Sequence, residues 1–461
     1  MREALALYGE AADVAARQGD PVSFGTVMTI RRQRASLFFS VGEYTRSRME
    51  AEALLDLARR AGDDSAVAAA LEQIASAYQW EENFPEALRR AQEAIQFAET
   101  TGVRPALAGG LYVRGFVQAI SGAPDPAEAD FQASLSTARS AQNVAREAQA
   151  LHALAILRTW DGRYREGLTL AEQSMGLARQ HRLVTPLLWC LWIQGAARHE
   201  TGAHDTALAA FHEALALAER IDDEAWITRF LNTIGWLHID CGDFGHGIDL
   251  SERAYELTAR SNRARHAIYA ERRAFIRNNQ ADALMLMGDL GRAAEALDET
   301  HHIVQHPPSS RWMTWRYRTH CCASLGQLAL ARGDPNKARR FAEQSLETGA
   351  PTRSRKYESW AWRIKGESAT ARRAWSEADE SLRRALSIAQ SIGQPRHVWL
   401  SQVALGKLHT ASGRREEAAA CYRAALAMIE GLRAQVQHPG LRAGLASSPL
   451  IREAELLARP E

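Results

Sequence analysis

Glycine recurs at Gly42, Gly122, Gly162, Gly202 and Gly242, a spacing of 40 residues, and Glu82 fills the vacant place in an otherwise matching segment. The phase resumes at Gly288, Gly333, Arg373 and Gly413 after two short slips. A chain that repeats at this period buries its apolar surface between neighbouring units rather than around one central core. That single regularity narrows the fold to a stack of small supersecondary units.

Registers measured from the turn residue give the units their physics. Seven residues earlier stand Ala35, Ala75, Gly115, Ala155, Gly195, Gly235, Ala281, Gly326, Gly366 and Gly406, every one Gly or Ala. Two helices approach closely only where side chains are small, so this register marks a helix crossing, where overpacking costs about 1–3 kcal/mol. Eleven residues before the turn come Leu71, Leu111, Leu151, Leu191 and Leu231, each worth roughly 1.5–3 kcal/mol when buried. Trp362 takes that leucine place in a later unit. Five residues after the turn the chain is small again, as at Ala87, Ala127, Gly167, Ala207 and Gly247. Segments such as Asp205 to Leu215 have the spacing of amphipathic helices, and no strand-like alternation interrupts them. The expectation is an all-α chain of about ten helix–turn–helix units.

These residues carry a family likeness. Gly or Ala at the crossing, Gly-Glu-Tyr or Gly-Asp-Phe at the turn, and Ala five residues on resemble the tetratricopeptide repeat, with Asn278 to Leu290 among the clearest copies. The resemblance implies a right-handed α-solenoid that acts as a non-enzymatic scaffold, binding a peptide or protein segment in a concave groove. The period is 40 residues rather than the family's usual 34, so the helices or the loops are longer. That is similar to the long-repeat arrays in the C-terminal regions of bacterial maltose-regulator-like signalling ATPases. The alternative implied is therefore a ligand-sensing arm of a larger STAND-type ATPase, cyclase or transcription regulator, with an upstream ATPase or regulatory domain as partner.

The ends and the slips divide the chain. Arg2 to Gln18 matches a second helix with no first helix before it. Residues 1–22 are thus expected to form an unpaired half-repeat, which marks a fragment of a longer protein or else an N-terminal cap. Repeats one to six span 23–262 and repeats seven to ten span 263–435, with extra length near Ser261 to Arg265 and near His306 to Arg311. Residues 436–461 form a tail whose Gln437 to Glu453 stretch is similar to the closing segment of STAND-type arrays, although Gly444 stands where an aromatic is usual there.

In such arrays the first helices line the groove at positions that vary from repeat to repeat. Ten residues before the turn the chain carries Arg32, Glu72, Tyr112, His152, Trp192, Asn232 and Asn278; two before it come Trp80, Trp160 and Glu200. With Trp189, His199, Arg229 and Trp236 these residues predict one aromatic and hydrogen-bonding surface, the composition of a peptide-binding hot spot. The candidate groove is Trp80, Tyr112, His152, Trp160, Trp189, Trp192, His199, Arg229, Asn232, Trp236 and Asn278, weighed against simple inter-repeat packing. A second cluster, Arg260, Arg263, Arg265, Arg272, Arg273 and Arg277 with Arg311, Trp312, Trp315, Arg316 and Arg318, suits an acidic peptide or a phosphate, or else is a solvated face balanced by Glu256 and Glu271.

Charge and motifs narrow the chemistry. Lys plus Arg total 56 against 55 Asp plus Glu, which gives no global field toward nucleic acid or membrane. The N-terminus has no signal-like apolar run, and the five cysteines form no C-x-x-C pair, so a soluble cytoplasmic protein with reduced thiols is expected. His199-Glu200 to His204 is one residue too long for H-E-x-x-H, and Gly202 separates the two histidines. No phosphate loop, dinucleotide fingerprint or nucleophile elbow occurs. No catalytic residue, metal or cofactor is expected.

Overall fold

In the computed structural model the chain is described over residues 21–261, 267–307 and 312–459. The expected helix from Arg2 to Gln18, and Arg263, Arg265 and Arg311, lie outside the described residues. Among those residues all regular structure is helical, so the chain is an all-α array of helical repeats. By contact density it divides between Leu154 and Ala155.

The first unit holds α1 (Pro21–Ser40), α2 (Tyr44–Ala61), α3 (Asp64–Trp80), α4 (Phe84–Thr101), α5 (Arg104–Ile120) and α6 (Pro124–Ser140). The division falls inside α7 (Val144–Trp160). The second unit continues with α8 (Tyr164–Gln180), α9 (Val184–Glu200), α10 (His204–Arg220), α11 (Glu224–Asp240), α12 (Phe244–Arg260), α13 (Ala267–Leu286) and α14 (Leu290–Gln305). It ends with α15 (Thr314–Ala331), α16 (Pro335–Gly349), α17 (Arg355–Ala371), α18 (Trp375–Ser391), α19 (Pro395–Ala411), α20 (Arg415–Gln435), α21 (Pro439–Ser447) and α22 (Pro449–Leu457).

The turn register holds throughout. Gly42, Gly122, Gly162, Gly202, Gly242, Gly288, Gly333 and Gly413 all have positive φ, and so do Glu82 at 62° and Arg373 at 59°. A second series lies between them: Gly62, Gly102, Gln142, Arg182, Asp222, Met313, Arg353 and Gly393 are left-handed too. The true spacing is therefore 20 residues over most of the chain. Helices of 17 residues, such as α9, α10 and α11, alternate with three-residue turns whose middle residue is left-handed. Longer helices, not longer loops, account for the 40-residue period. Short polar side chains start several of them: Asp63, Asn83, Asp223, Asp289 and Asp334 each accept a hydrogen bond from the backbone three residues on, satisfying a donor the helix leaves free.

The crossing register is buried in both units. Ala35, Ala75, Ala155 and Ala281 are at most 1% exposed. A Cβ on Gly235 of α11 would stand 2.8 Å from the carbonyl oxygen of Gly247 on α12, a contact that backbone cannot yield. Leu71, Leu151, Leu191 and Leu231 are at most 2% exposed, as core leucines should be. Trp362 is only half-buried, its ring covered by the Arg384 guanidinium at 4.4 Å and the Lys365 ammonium at 5.0 Å.

Within the second unit the array returns on itself. Residues of α9 to α12 share one apolar core with Trp399, Leu400, Ile429, Leu432, Leu441, Leu445 and Ile451 from α19 to α22. The turn after α11 lies against α21: a Cβ on Gly242 would be 2.5 Å from the carbonyl oxygen of Gly444, and one on Gly444 would be 2.6 Å from that of Cys241. Asp205 receives the backbone N–H groups of Gln437 and His438 at 2.6 and 3.0 Å. The C-terminal segment is thus packed structure, and Gly444 stands where it does because backbone meets backbone there.

Candidate functional site

The closing of α9–α13 against α15–α20 leaves a cavity of about 330 Å³ inside the second unit. The first helices of successive repeats supply most of its wall. Five of the residues expected on the groove meet there: Trp160, Trp192, Arg229, Asn232 and Trp236. Trp160, Asn232 and Trp236 are half-buried, whereas Trp192 is 7% exposed and packs in the core with one part on the cavity.

The other expected positions fall elsewhere. Trp189 is buried against Trp226, with ring centroids 4.8 Å apart. His199 lies behind the wall, where its Nε2 meets Asp240 at 3.1 Å and its Nδ1 meets Nδ1 of His204 at 3.0 Å. Asn278 is fully buried and donates to the carbonyl of Tyr317. Trp80, Tyr112 and His152 belong to the first unit. There Trp80 stacks on Tyr44 and tilts against Phe116, and the Tyr112 hydroxyl lies 3.4 Å from Nε2 of His152. Burial drives the His152 imidazole down to about 3, so the ring is neutral there.

The basic cluster dissolves in the fold. Arg260 is exposed and pairs with Glu256; Arg318 is exposed; Trp312 and Trp315 are buried. Arg272 and Arg316 turn into the cavity instead. Arg316 sits two residues from the exposed Arg318 on α15, and only helix phase separates them.

Most charges on the wall are matched. The Lys356 ammonium lies 2.6 Å from Glu200, which also accepts from Gln394. Arg396 approaches Asp240 at 3.5 Å, Arg363 pairs with Glu367 at 2.7 Å, and Lys407 with Glu453 at 2.7 Å. Asp282 accepts from His320 and from Ser324. Burial disfavours the charge on Asp240, yet Arg396, His199 and Lys356 outweigh it and hold the carboxyl far below its usual range. Burial likewise opposes the Lys356 charge, but Glu200 and Asp240 keep its pKa above the ordinary value.

One end of the cavity is different. Glu271 alone serves two guanidiniums, Arg229 at 3.4 Å and Arg272 beside it. Arg316 stands near them with its guanidinium carbon 5.0 Å from the Trp160 ring, 5.4 Å from Phe275 and 6.0 Å from Trp192. Burial, then the neighbouring Arg272, lowers the pKa of Arg229, and burial lowers that of Arg316. Arginine keeps its proton in proteins, so three guanidinium cations stand at this end.

Two tetratricopeptide-repeat models match the chain, one over residues 67–101 and one over 403–434. Those two segments therefore match tetratricopeptide repeats. No curated protein matches it significantly. Among solved structures, the chain is similar to a Rap protein complexed with Competence and Sporulation Factor, at 12% identity and a TM-score of 0.43, over 89% of this chain and 99% of that one. The apo quorum sensor NprR from B. thuringiensis aligns at 12% identity and a TM-score of 0.46, over 76% and 99%. The apo form of RapI aligns at 12% and 0.42, over 76% and 96%. No helix among the described residues of the protein is long and apolar enough to cross a membrane.

Proposed function

We propose that the second unit is a non-enzymatic binding module that takes a short peptide or protein segment into its cavity. The observation that carries this reading is the cavity itself, of about 330 Å³ and walled by Trp160, Trp192, Trp236, Phe275 and Trp360 among polar groups. Ligand sites are concave, largely apolar and furnished with a few convergent polar groups. Rigid aromatics contribute contact area at small entropic cost, and the amide of Asn232 with the guanidinium of Arg229 can orient a backbone or a side chain.

Trp236 is the residue on which to test this. It is half-buried at the cavity, with the Lys356 ammonium 4.4 Å from its ring and His199 packed edge-on behind. Wild-type protein is expected to retain members of a random hexapeptide pool, read by mass spectrometry. Trp236→Ala should retain roughly tenfold less, as loss of a hot-spot aromatic does, while its helical circular dichroism at 25 °C is unchanged. Equal retention by the folded variant would remove the cavity from the binding site.

A further inference from the structure

We infer that the cavity selects ligands that carry a carboxylate, and that Arg316 receives it. The inference rests on the peptide-binding reading above and adds the chemistry of the group that is read. Its basis is a mismatch in the wall. Each other lysine and arginine there has an acidic partner, and Glu271 is already shared between Arg229 and Arg272. Among the described residues the Arg316 guanidinium makes no ion pair and no side-chain hydrogen bond; its close neighbours are three aromatic rings.

Unpaired donors accompany it. Arg229 Nε, Arg272 Nε, and the indole nitrogens of Trp160 and Trp360 are buried without a hydrogen-bond partner. Glu367 Oε2 and the Nδ1 atoms of His320 and His397 are other buried polar atoms of this kind on the same wall. Buried polar groups normally find partners, and Arg316, half-buried on the cavity, has no anion paired with it among the described residues. A fold keeps such a group where a ligand completes it. The ring faces of Trp160, Trp192 and Phe275 hold the guanidinium by cation–π attraction, which leaves its N–H edge free for the planar, two-point grip that arginine gives a carboxylate.

Glu271 lies close enough to lower the electrostatic cost of Arg316. Three guanidiniums face that one fixed carboxylate, so the end stays cationic and can take a further carboxylate without a net negative charge. The carboxylate is that of an Asp or Glu side chain or of a peptide C-terminus, which share this chemistry.

Three hexapeptide pools separate the possibilities, all acetylated at the N-terminus and random in uncharged residues. One carries a fixed Glu and a C-terminal amide, one a fixed Gln and an amide, and one a fixed Gln with a free C-terminus. Full-length protein is expected to retain the Glu pool, the free-terminus pool, or both, about tenfold or more over the amidated Gln pool, the scale of a charge-assisted pair. Which pool wins names the source of the carboxylate. Arg316→Gln should bring the ratio near one while amidated Gln peptides are still held, and Arg316→Lys should restore part of it. Equal retention of all three pools by the wild type overturns the inference and leaves peptide binding standing. Retention of none overturns the peptide reading and this inference with it. If Arg316→Gln is unfolded by circular dichroism, the Arg316→Lys ratio decides: a value below the wild type's supports the role of Arg316, and one equal to the wild type's overturns it.

Discussion

Adjacent residues on α11 divide the labour of the site. Leu231 is 2% exposed in the core, and Asn232 is half-buried on the cavity, where its side-chain oxygen accepts from Asn279 Nδ2 at 3.0 Å. One step along a helix rotates a side chain by about a hundred degrees, which is enough to change its medium. Leu231→Ala is expected to cost about 2–5 kcal/mol, because α10 and α12 cannot close on the void. Asn232→Ala should cost nearer 1 kcal/mol, the loss of one hydrogen bond with a donor left over. Urea unfolding of the two variants measures both, and the reverse order would place Asn232 in the core. Residue identity alone did not foretell Trp192, whose ring serves the packing of the repeats and the cavity at once. Arg316 was no more legible as a cavity residue, since nothing in its neighbourhood of the sequence distinguishes it from Arg318.

At the scale of the element, the turns were half legible. The series at Gly42 to Gly413 showed itself because glycine is the usual residue for a left-handed turn. The intervening series hides behind Gln142, Arg182, Asp222 and Arg353, which adopt the same backbone with a side chain attached. The helix–turn–helix order and the crossing register could be read from the first series together with the small residues, but the equal lengths of the two helices needed the second. These side-chained turns carry strain of order 1 kcal/mol each. Arg182, exposed with φ at 56° between α8 and α9, is a convenient one to relieve. Arg182→Gly should stabilise the protein by a few tenths of a kcal/mol to about 1 kcal/mol, the released strain less the entropy of a freer unfolded chain. A lower urea midpoint for the variant would mean that the arginine contributes more than its backbone costs.

At the scale of the molecule, the closure of the second unit was the part the sequence kept to itself. It depends on contacts between residues some 200 positions apart, such as Asp205 with Gln437 and Gly242 with Gly444, and no repeat announces which later repeat it will meet. Closure also buries titratable groups, and acid should expose the cost. His397 is 2% exposed in the cavity wall. Burial, together with Lys356, Arg363 and Arg396, drives its pKa well below the ordinary value, against a weaker pull from Asp240. The folded protein therefore leaves His397 neutral at a pH where the unfolded chain protonates it. Below pH of about 6.5 the unfolded state binds more protons, so stability falls as pH falls, by about 1.4 kcal/mol per pH unit for this one group. Asp240 plays no part in that interval: its depressed carboxyl adds stability above the unfolded carboxylate value and loses it only well below pH 4. The wild-type urea midpoint is thus expected to drop between pH 7 and pH 5, and His397→Gln should flatten the drop by roughly the share of one histidine. His152 and His204, both held near 3 by burial, keep the remaining slope in the variant. An identical slope in His397→Gln and wild type would mean that His397 is already charged in the folded protein.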